Sequence, residues 1–252
     1  MSDVLERVKG ALYFLPLIIG VLAGQPFLQI AIGCLQALIC YELAKILAKD
    51  NRQLVLFSAI FIIASLSTTI YHLASGYVIG LCLVISLLMV WRVSGLFAAI
   101  FSVIVLICLS SLSVLLLFEQ ALFIILSLVV VIASCDIGAY FVGRMIGGPK
   151  LAPAISPGKT ISGSAGGLIA AVLASLTVAP HIGMISGNPI IAGLVIGGLS
   201  QIGDLYESAF KRRIGIKDSS QMIPGHGGLL DRFDGYLLVV PLVTILLAVS
   251  AA

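Results

Sequence analysis

Charged residues are the scarcest class in this sequence: 14 Lys and Arg and 11 Asp and Glu among 252 residues, 10% in all. A soluble domain carries about a quarter, so water is excluded as the main solvent of this chain. Cysteine occurs only five times. Cys34, Cys40, Cys82, Cys108 and Cys135 all fall inside apolar runs without metal-type spacing, which makes them small packing residues and excludes a disulfide framework. The first nine residues mix acids and bases, and the first apolar run lacks a small-residue cleavage site, so a cleaved signal peptide is not expected.

What is abundant is apolar side chain, 60% of the residues at a mean hydropathy of +1.21. The apolar runs follow one another and are mostly long enough to cross ~30 Å of hydrocarbon. The expected fold is all-α, a polytopic integral membrane protein with nine transmembrane helices at roughly 11–24, 27–47, 54–71, 76–91, 95–117, 121–143, 163–180, 189–210 and 235–250. With a cytoplasmic N-terminus, every Lys and Arg falls on one side: Arg7 and Lys9; Lys45, Lys49 and Arg52; Arg92; Arg144, Lys150 and Lys159; then Lys211, Arg212, Arg213, Lys217 and Arg232. Cytoplasmic loops retain positive charge, so this one-sidedness sets the orientation and the odd span number. The outer loops are short and nearly uncharged.

Residues 1–120 read as scaffold and 121–252 as the catalytic region, probed as one integrated unit. The scaffold has one anomaly. Glu42 lies near the end of an apolar helix with Lys45 at i+3, so it either pairs with that lysine at the interface or contributes to a site. Asp136 sits about two turns before Arg144 in another apolar run, where an unpaired charge in lipid costs several kcal/mol; it is expected to face the bundle interior. The Gly-, Pro- and Ser-rich run that follows holds Ser156, Pro157, Gly158, Lys159 and Thr160 just before a helix. Free backbone N–H groups, hydroxyls, one cation and a helix N-terminus suit a phosphate, although an ordinary loop would look similar. The run lacks P-loop spacing.

Between Gly203 and Gly235 the chain gathers five carboxylates, five cations, a histidine and a Gly-Gly pair into one polar island. Asp204, Ser208 and Lys211, at i, i+4 and i+7, share one helix face beside Arg212. Asp231 and Asp234, at i and i+3, open the last helix, where carboxylates suit the dipole. Such acids among cations suit Mg²⁺, which takes carboxylate oxygens and completes its shell with phosphates and water. Within the island Glu207 reads as a solvated helix acid, Arg213 as a headgroup contact, and His226 as either a structural donor or a phosphate ligand.

The ordered string Ser208-Ala-Phe-Lys211-Arg212, Lys217-Asp218, Pro224-Gly-His226-Gly227-Gly228 and Asp231-Arg232-Phe-Asp234 closely resembles the signature of phosphatidate cytidylyltransferases, the CDP-diacylglycerol synthases. The resemblance extends to Gly203-Asp204, to Ser156 through Thr160, and to Asp136 with Ala139-Tyr140-Phe141-Val142-Gly143. It implies a membrane enzyme that joins CTP to phosphatidic acid and releases pyrophosphate. It further implies a two-cation centre on Asp204 and Asp231, one Mg²⁺ and a second cation, K⁺ or Mg²⁺. Asp204, Asp231, Lys211 and Asp218 form the implied catalytic set. Ser156, Lys159, Thr160, Ser208, Arg212, Lys217, His226, Gly227, Gly228, Arg232, Asp234 and Asp136 are the implied substrate contacts. A homodimer in the inner (cytoplasmic) membrane, with its site open to the cytoplasm and to lipid, is the implied assembly; no nucleic-acid partner is expected.

One departure stands out. The family commonly follows Lys-Thr with Trp-Glu-Gly, whereas here Ile161-Ser162-Gly163 follows, without the acid. Two other classes share parts of the pattern: another CTP-dependent lipid enzyme, such as an archaeol-type cytidylyltransferase or a polyprenol or phytol kinase, and a secondary transporter using Glu42 and Asp136 as coupling acids.

Overall fold

The structure, a computed structural model, describes residue 24 and residues 27–70, 75–180, 187–223 and 227–250. The first expected span and His226 lie outside them. Eight α-helices are described: α1 (Phe27–Leu47), α2 (Asn51–Ile70), α3 (Ser75–Ser94), α4 (Leu96–Leu115), α5 (Ala121–Ile146), α6 (Ile161–Thr177), α7 (Pro189–Arg213) and α8 (Val239–Ser250). Each coincides with an expected span to within a few residues. Among the described residues α1, α4, α5 and α7 are long and apolar enough to cross a membrane. Large apolar side chains on their outer faces stay exposed, among them Ile30, Ile100, Phe123, Ile137 and Ile202, as lipid-facing surfaces require.

The fold is not purely helical. Lys150–Ala152 (β1) and Ser156–Thr160 (β2) pair antiparallel, with Lys150 opposite Thr160 and Ala152 opposite Ser156. The Gly- and Pro-rich run before α6 is therefore a short hairpin rather than a loop, and its edges have little to pair with but each other.

By contacts the chain divides into two compact units, the first comprising the described residues up to Leu117 with Ile214–Phe233, the second Phe118–Arg213 with the residues from Asp234 onward. A boundary at residue 120 would leave 214–233 with the C-terminal helices; the contacts group it with the N-terminal ones.

In the first unit α1, α2, α3 and α4 pack as neighbours around fully buried Ile39, Leu43, Phe57, Phe61, Phe101 and Leu106. Asp50 starts α2 by accepting the Gln53 N–H at 2.7 Å, and the Gln53 side chain accepts the Lys49 N–H at 3.0 Å, a reciprocal cap that satisfies donors a helix start leaves open. Gly95, at φ +87°, makes the single-residue break between α3 and α4. Polar groups then fasten the apolar helices: buried Gln36 donates to the Leu109 carbonyl at 2.7 Å and to Ser113 Oγ at 2.8 Å, while Ser113 and Ser110 reach the carbonyls of Ser65 and Ala64 on α2. Hydrogen bonds of this kind join helices where lipid offers no hydrophobic drive between them.

In the second unit α5 and α6 make the closest pair. A Cβ on Gly163 would sit 2.7 Å from the Ala139 carbonyl oxygen, and one on Gly167 would sit 2.8 Å from that of Cys135. Small residues thus bring two backbones together, and α5 carries Asp136 alongside the start of α6. The helix α7 packs on α6 and on the 3₁₀ turn Asp234–Tyr236.

Candidate active site

In the second unit the end of α5, the hairpin, the start of α6 and the middle of α7 enclose a cavity of about 590 Å³, within the range that holds small ligands. Asp136 and Asp204 contribute carboxylates to its wall, and Lys159, Arg144 and Lys150 contribute cations. Strand pairing and the helix cap fix how Lys159 arrives. Thr160, the residue after it, caps α6 by accepting the Gly163 N–H at 3.0 Å, so the strand ends where the helix begins. From there Lys159 Nζ forms an ion pair with Asp204 Oδ2. Ser208 Oγ lies 3.4 Å from Asp204 Oδ1, one turn on, as the i, i+4 spacing predicts.

Four polar residues of the cavity wall, Arg144, Lys150, Ser164 and Gln201, carry no site role in the sequence reading. Arg144 and Lys150 were counted only for topology, and Arg144 donates to the Tyr140 hydroxyl at 2.7 Å. Gln201 and Ser164 join α7 to α6: the amide nitrogen of Gln201 donates to the Ser164 carbonyl at 3.0 Å, and Ser164 Oγ donates to the Gln201 oxygen. The available signal was a lone Gln one turn before Asp204 in an apolar helix. Ser162, in place of the family's acid, donates to the Gly147 carbonyl and lies 3.1 Å from Thr160 Oγ, so it ties the turn before the hairpin to the helix start.

Other expected contacts fall outside this cavity wall. Ser156 is spent on the strand register opposite Ala152. Arg212 Nε donates to the Ile155 carbonyl at 3.3 Å, holding the hairpin to α7. Lys211 is nearly buried, with Nζ 3.5 Å from Glu207 Oε1. Glu207 itself is fully buried, not a solvated acid, because its helix face turns inward beside Gly203 and Phe210. Asp234 lies in the turn ahead of α8. Burial first, and then the negative charge of Asp204, lift its carboxyl above the usual carboxylate range, against the donated Gly235 N–H at 2.6 Å. Gly203 admits that turn: a Cβ there would stand 2.5 Å from the Asp234 carbonyl oxygen.

In the first unit, the described residues among 214–233 gather around Asp231. Asp231 Oδ2 accepts the N–H groups of Ser219 and Gly228, each at 2.9 Å. Gly227, at φ +78°, makes the turn that brings Gly228 there, and Ile223 and Gly227 bridge across the loop. Lys217, Asp218 and Arg232 lie on its exposed side. Glu42, from α1, accepts hydrogen bonds from Ser219, Ser220 and the Leu230 N–H. Its partners are thus in the loop, and not Lys45.

Apolar helices of membrane-crossing length, with a cavity lined by carboxylates and cations at a helix start, define a helical membrane protein with a charged cavity. The chain belongs to the cytidylyltransferase family, which it matches over residues 6–250. It is similar to the phosphatidate cytidylyltransferase of Brucella suis biovar 1 (strain 1330), at 49% identity over 129 residues, 50% of this chain and 47% of that protein. It is also similar to the phosphatidate cytidylyltransferase of Staphylococcus aureus (strain COL), at 43% identity over 134 residues, 52% of each. The alignments span about half the length of these curated relatives.

Proposed function

We infer that this protein transfers CMP from CTP to phosphatidic acid, giving CDP-diacylglycerol and pyrophosphate. The observation that carries the reading is the cavity in which Lys159 pairs with Asp204 beside Asp136, Arg144 and Lys150. Phosphate chemistry needs both signs in one place, cations for the phosphate oxygens and carboxylates for a metal.

The Asp204 carboxylate, in a cavity wall that also carries Asp136 and cations, suits Mg²⁺. Among the described residues no three His, Cys, Asp or Glu side chains gather closely enough to hold a metal alone, but Mg²⁺ uses one or two carboxylates and takes its other ligands from water and substrate phosphates. Asp204 and Asp231 are the proposed holders, with a second cation, K⁺ or Mg²⁺, beside it. A cation held by these carboxylates would supply charge neutralisation on the nucleotide phosphates.

The remaining work belongs to the protein. A phosphatidate oxygen attacks the α-phosphorus of CTP in line; the new P–O bond forms as the α–β anhydride bond breaks, and pyrophosphate leaves with the electron pair. The nucleophile is already anionic, so no strong base is required. Lys159, held by the strand and by Asp204, presents its charge at a fixed point, and Arg144 and Lys150 add to it. Lys211, Arg212, Lys217, Arg232 and His226 complete the proposed phosphate contacts, with Asp218 in the catalytic set. Positioning and charge neutralisation are the sources of rate. The proposed setting is the inner membrane, with nine spans, the site facing the cytoplasm, and a homodimer.

Detergent-purified protein incubated with labelled CTP, Mg²⁺ and phosphatidic acid should yield a lipid-linked CMP and pyrophosphate without any membrane gradient. Product from an isoprenoid lipid phosphate but not from phosphatidic acid would move the assignment to another CTP-dependent lipid enzyme, and no product with any acceptor would overturn it.

A further inference from the structure

Glu42 is 1% exposed and lies on a mostly apolar helix whose other charged residue, Lys45, is exposed. A carboxylate in such a place is expensive unless donors meet it. Three donors do, and all come from one loop far along the chain. Ser219 Oγ donates to Oε1 at 3.1 Å, Ser220 Oγ donates to the same oxygen, and the Leu230 N–H donates to Oε2 at 2.7 Å.

Two of these donors grip the loop next to the groups that orient Asp231. Ser219 uses its hydroxyl on Glu42 and its N–H on Asp231, so a single residue joins the two carboxylates. Leu230 directly precedes Asp231 and starts the 3₁₀ turn that carries it. Gly228, whose N–H also meets Asp231, lies so close to Glu42 and Ser219 that a Cβ there would run into Ser219 Oγ and Glu42 Oε1. The loop is thus folded on Glu42 from three directions, with no room to spare.

We propose that Glu42 is a positioning residue that holds Ser219, Ser220 and Leu230 in place and, through them, the orientation of the Asp231 carboxylate. The kinetic half of this inference rests on Asp231 being a working carboxylate; the structural half does not. Residues that orient a working group commonly change its performance by about 10- to 100-fold when lost. Glu42→Gln keeps the volume and one acceptor oxygen but removes the charge and puts an NH2 donor in place of the other oxygen, so either the serine hydroxyls on Oε1 or the Leu230 N–H on Oε2 lose their acceptor.

The test compares wild type, Glu42→Gln and the double variant Ser219→Ala, Ser220→Ala, which removes the hydroxyl donors without touching α1. Hydrogen–deuterium exchange in detergent, without nucleotide or metal, reads the amides of residues 217–232. Exchange of the Ser219 and Leu230 amides should be about tenfold faster in both variants, while α4 and α5 stay protected as in wild type. In the activity assay kcat should fall about tenfold or more with the KM for phosphatidic acid unchanged. Unchanged exchange in both variants would overturn the hold on the loop. Faster exchange with full kcat would overturn the positioning role. If Asp231→Asn is fully active, the reading of the site fails, while the exchange data still decide whether Glu42 holds the loop.

Discussion

Asp204 and Asp231 meet different surroundings, and their substitutions should report different things. Asp204 balances Lys159 and takes a Ser208 contact, whereas Asp231 has its oxygens turned by two backbone N–H groups. Asn at either position keeps the shape and removes the charge, so each variant should fold, hold detergent solubility, and lose Mg²⁺-dependent turnover by about 100-fold or more; wild-type rates in either would refute the assignment. Ser162→Ala offers a gentler probe. It strips the half-buried Gly147 carbonyl of its donor, and a hydrogen bond that water can partly replace is worth about 0.5–1.5 kcal/mol, so the thermal midpoint should drop slightly while the CTP KM changes little. The shared helix face of Asp204 and Ser208 was legible from their i, i+4 spacing, whereas the pairing of Asp204 with Asp231 came only from the family resemblance. The burial of Glu207 was not, because its neighbours in sequence are polar and only the packing of α7 shows which face turns inward.

At the scale of elements, the close pair α5 and α6 makes the sharpest prediction. Gly167→Val would place side-chain atoms against the Cys135 carbonyl, and its Cβ alone would come 2.9 Å from the Gln201 amide nitrogen. Backbone cannot give way cheaply there, so the variant should unfold at lower temperature, lower the yield of folded protein and displace Asp136 from the hairpin, which activity at saturating substrate would register as a lower kcat. Helix limits were readable because long apolar runs announce themselves. The hairpin was not, since strands of three and five residues, the second holding Pro157 and Gly158, are too short to carry an alternating pattern.

Across the whole molecule, the distribution of Lys and Arg makes a claim about sidedness. If all 14 lie on one face, retention of positive charge by the cytoplasm gives a cytoplasmic N-terminus and an external C-terminus. A reporter that works only in the cytoplasm should therefore be active when fused at the N-terminus and silent at the C-terminus; activity at the C-terminus would reject nine spans in this orientation. Composition made the membrane setting legible at once. It could not show that residues 214–233 group with the N-terminal helices, because that grouping rests on contacts between positions far apart in sequence, the Glu42 hydrogen bonds to Ser219, Ser220 and Leu230 among them.

Those hydrogen bonds impose an order on biosynthesis. Glu42 leaves the ribosome 188 residues ahead of the Leu230 amide that it binds, a gap of roughly 10–40 s at ordinary rates of translation. Throughout that interval the first described helix is in place with a carboxylate whose partners do not yet exist, and water at the membrane surface must stand in for them. The N-terminal helices therefore reach their final state only when the penultimate stretch of the chain has been made, so a stalled or truncated product ending before residue 219 would keep an exposed acid as a mark of its incompleteness.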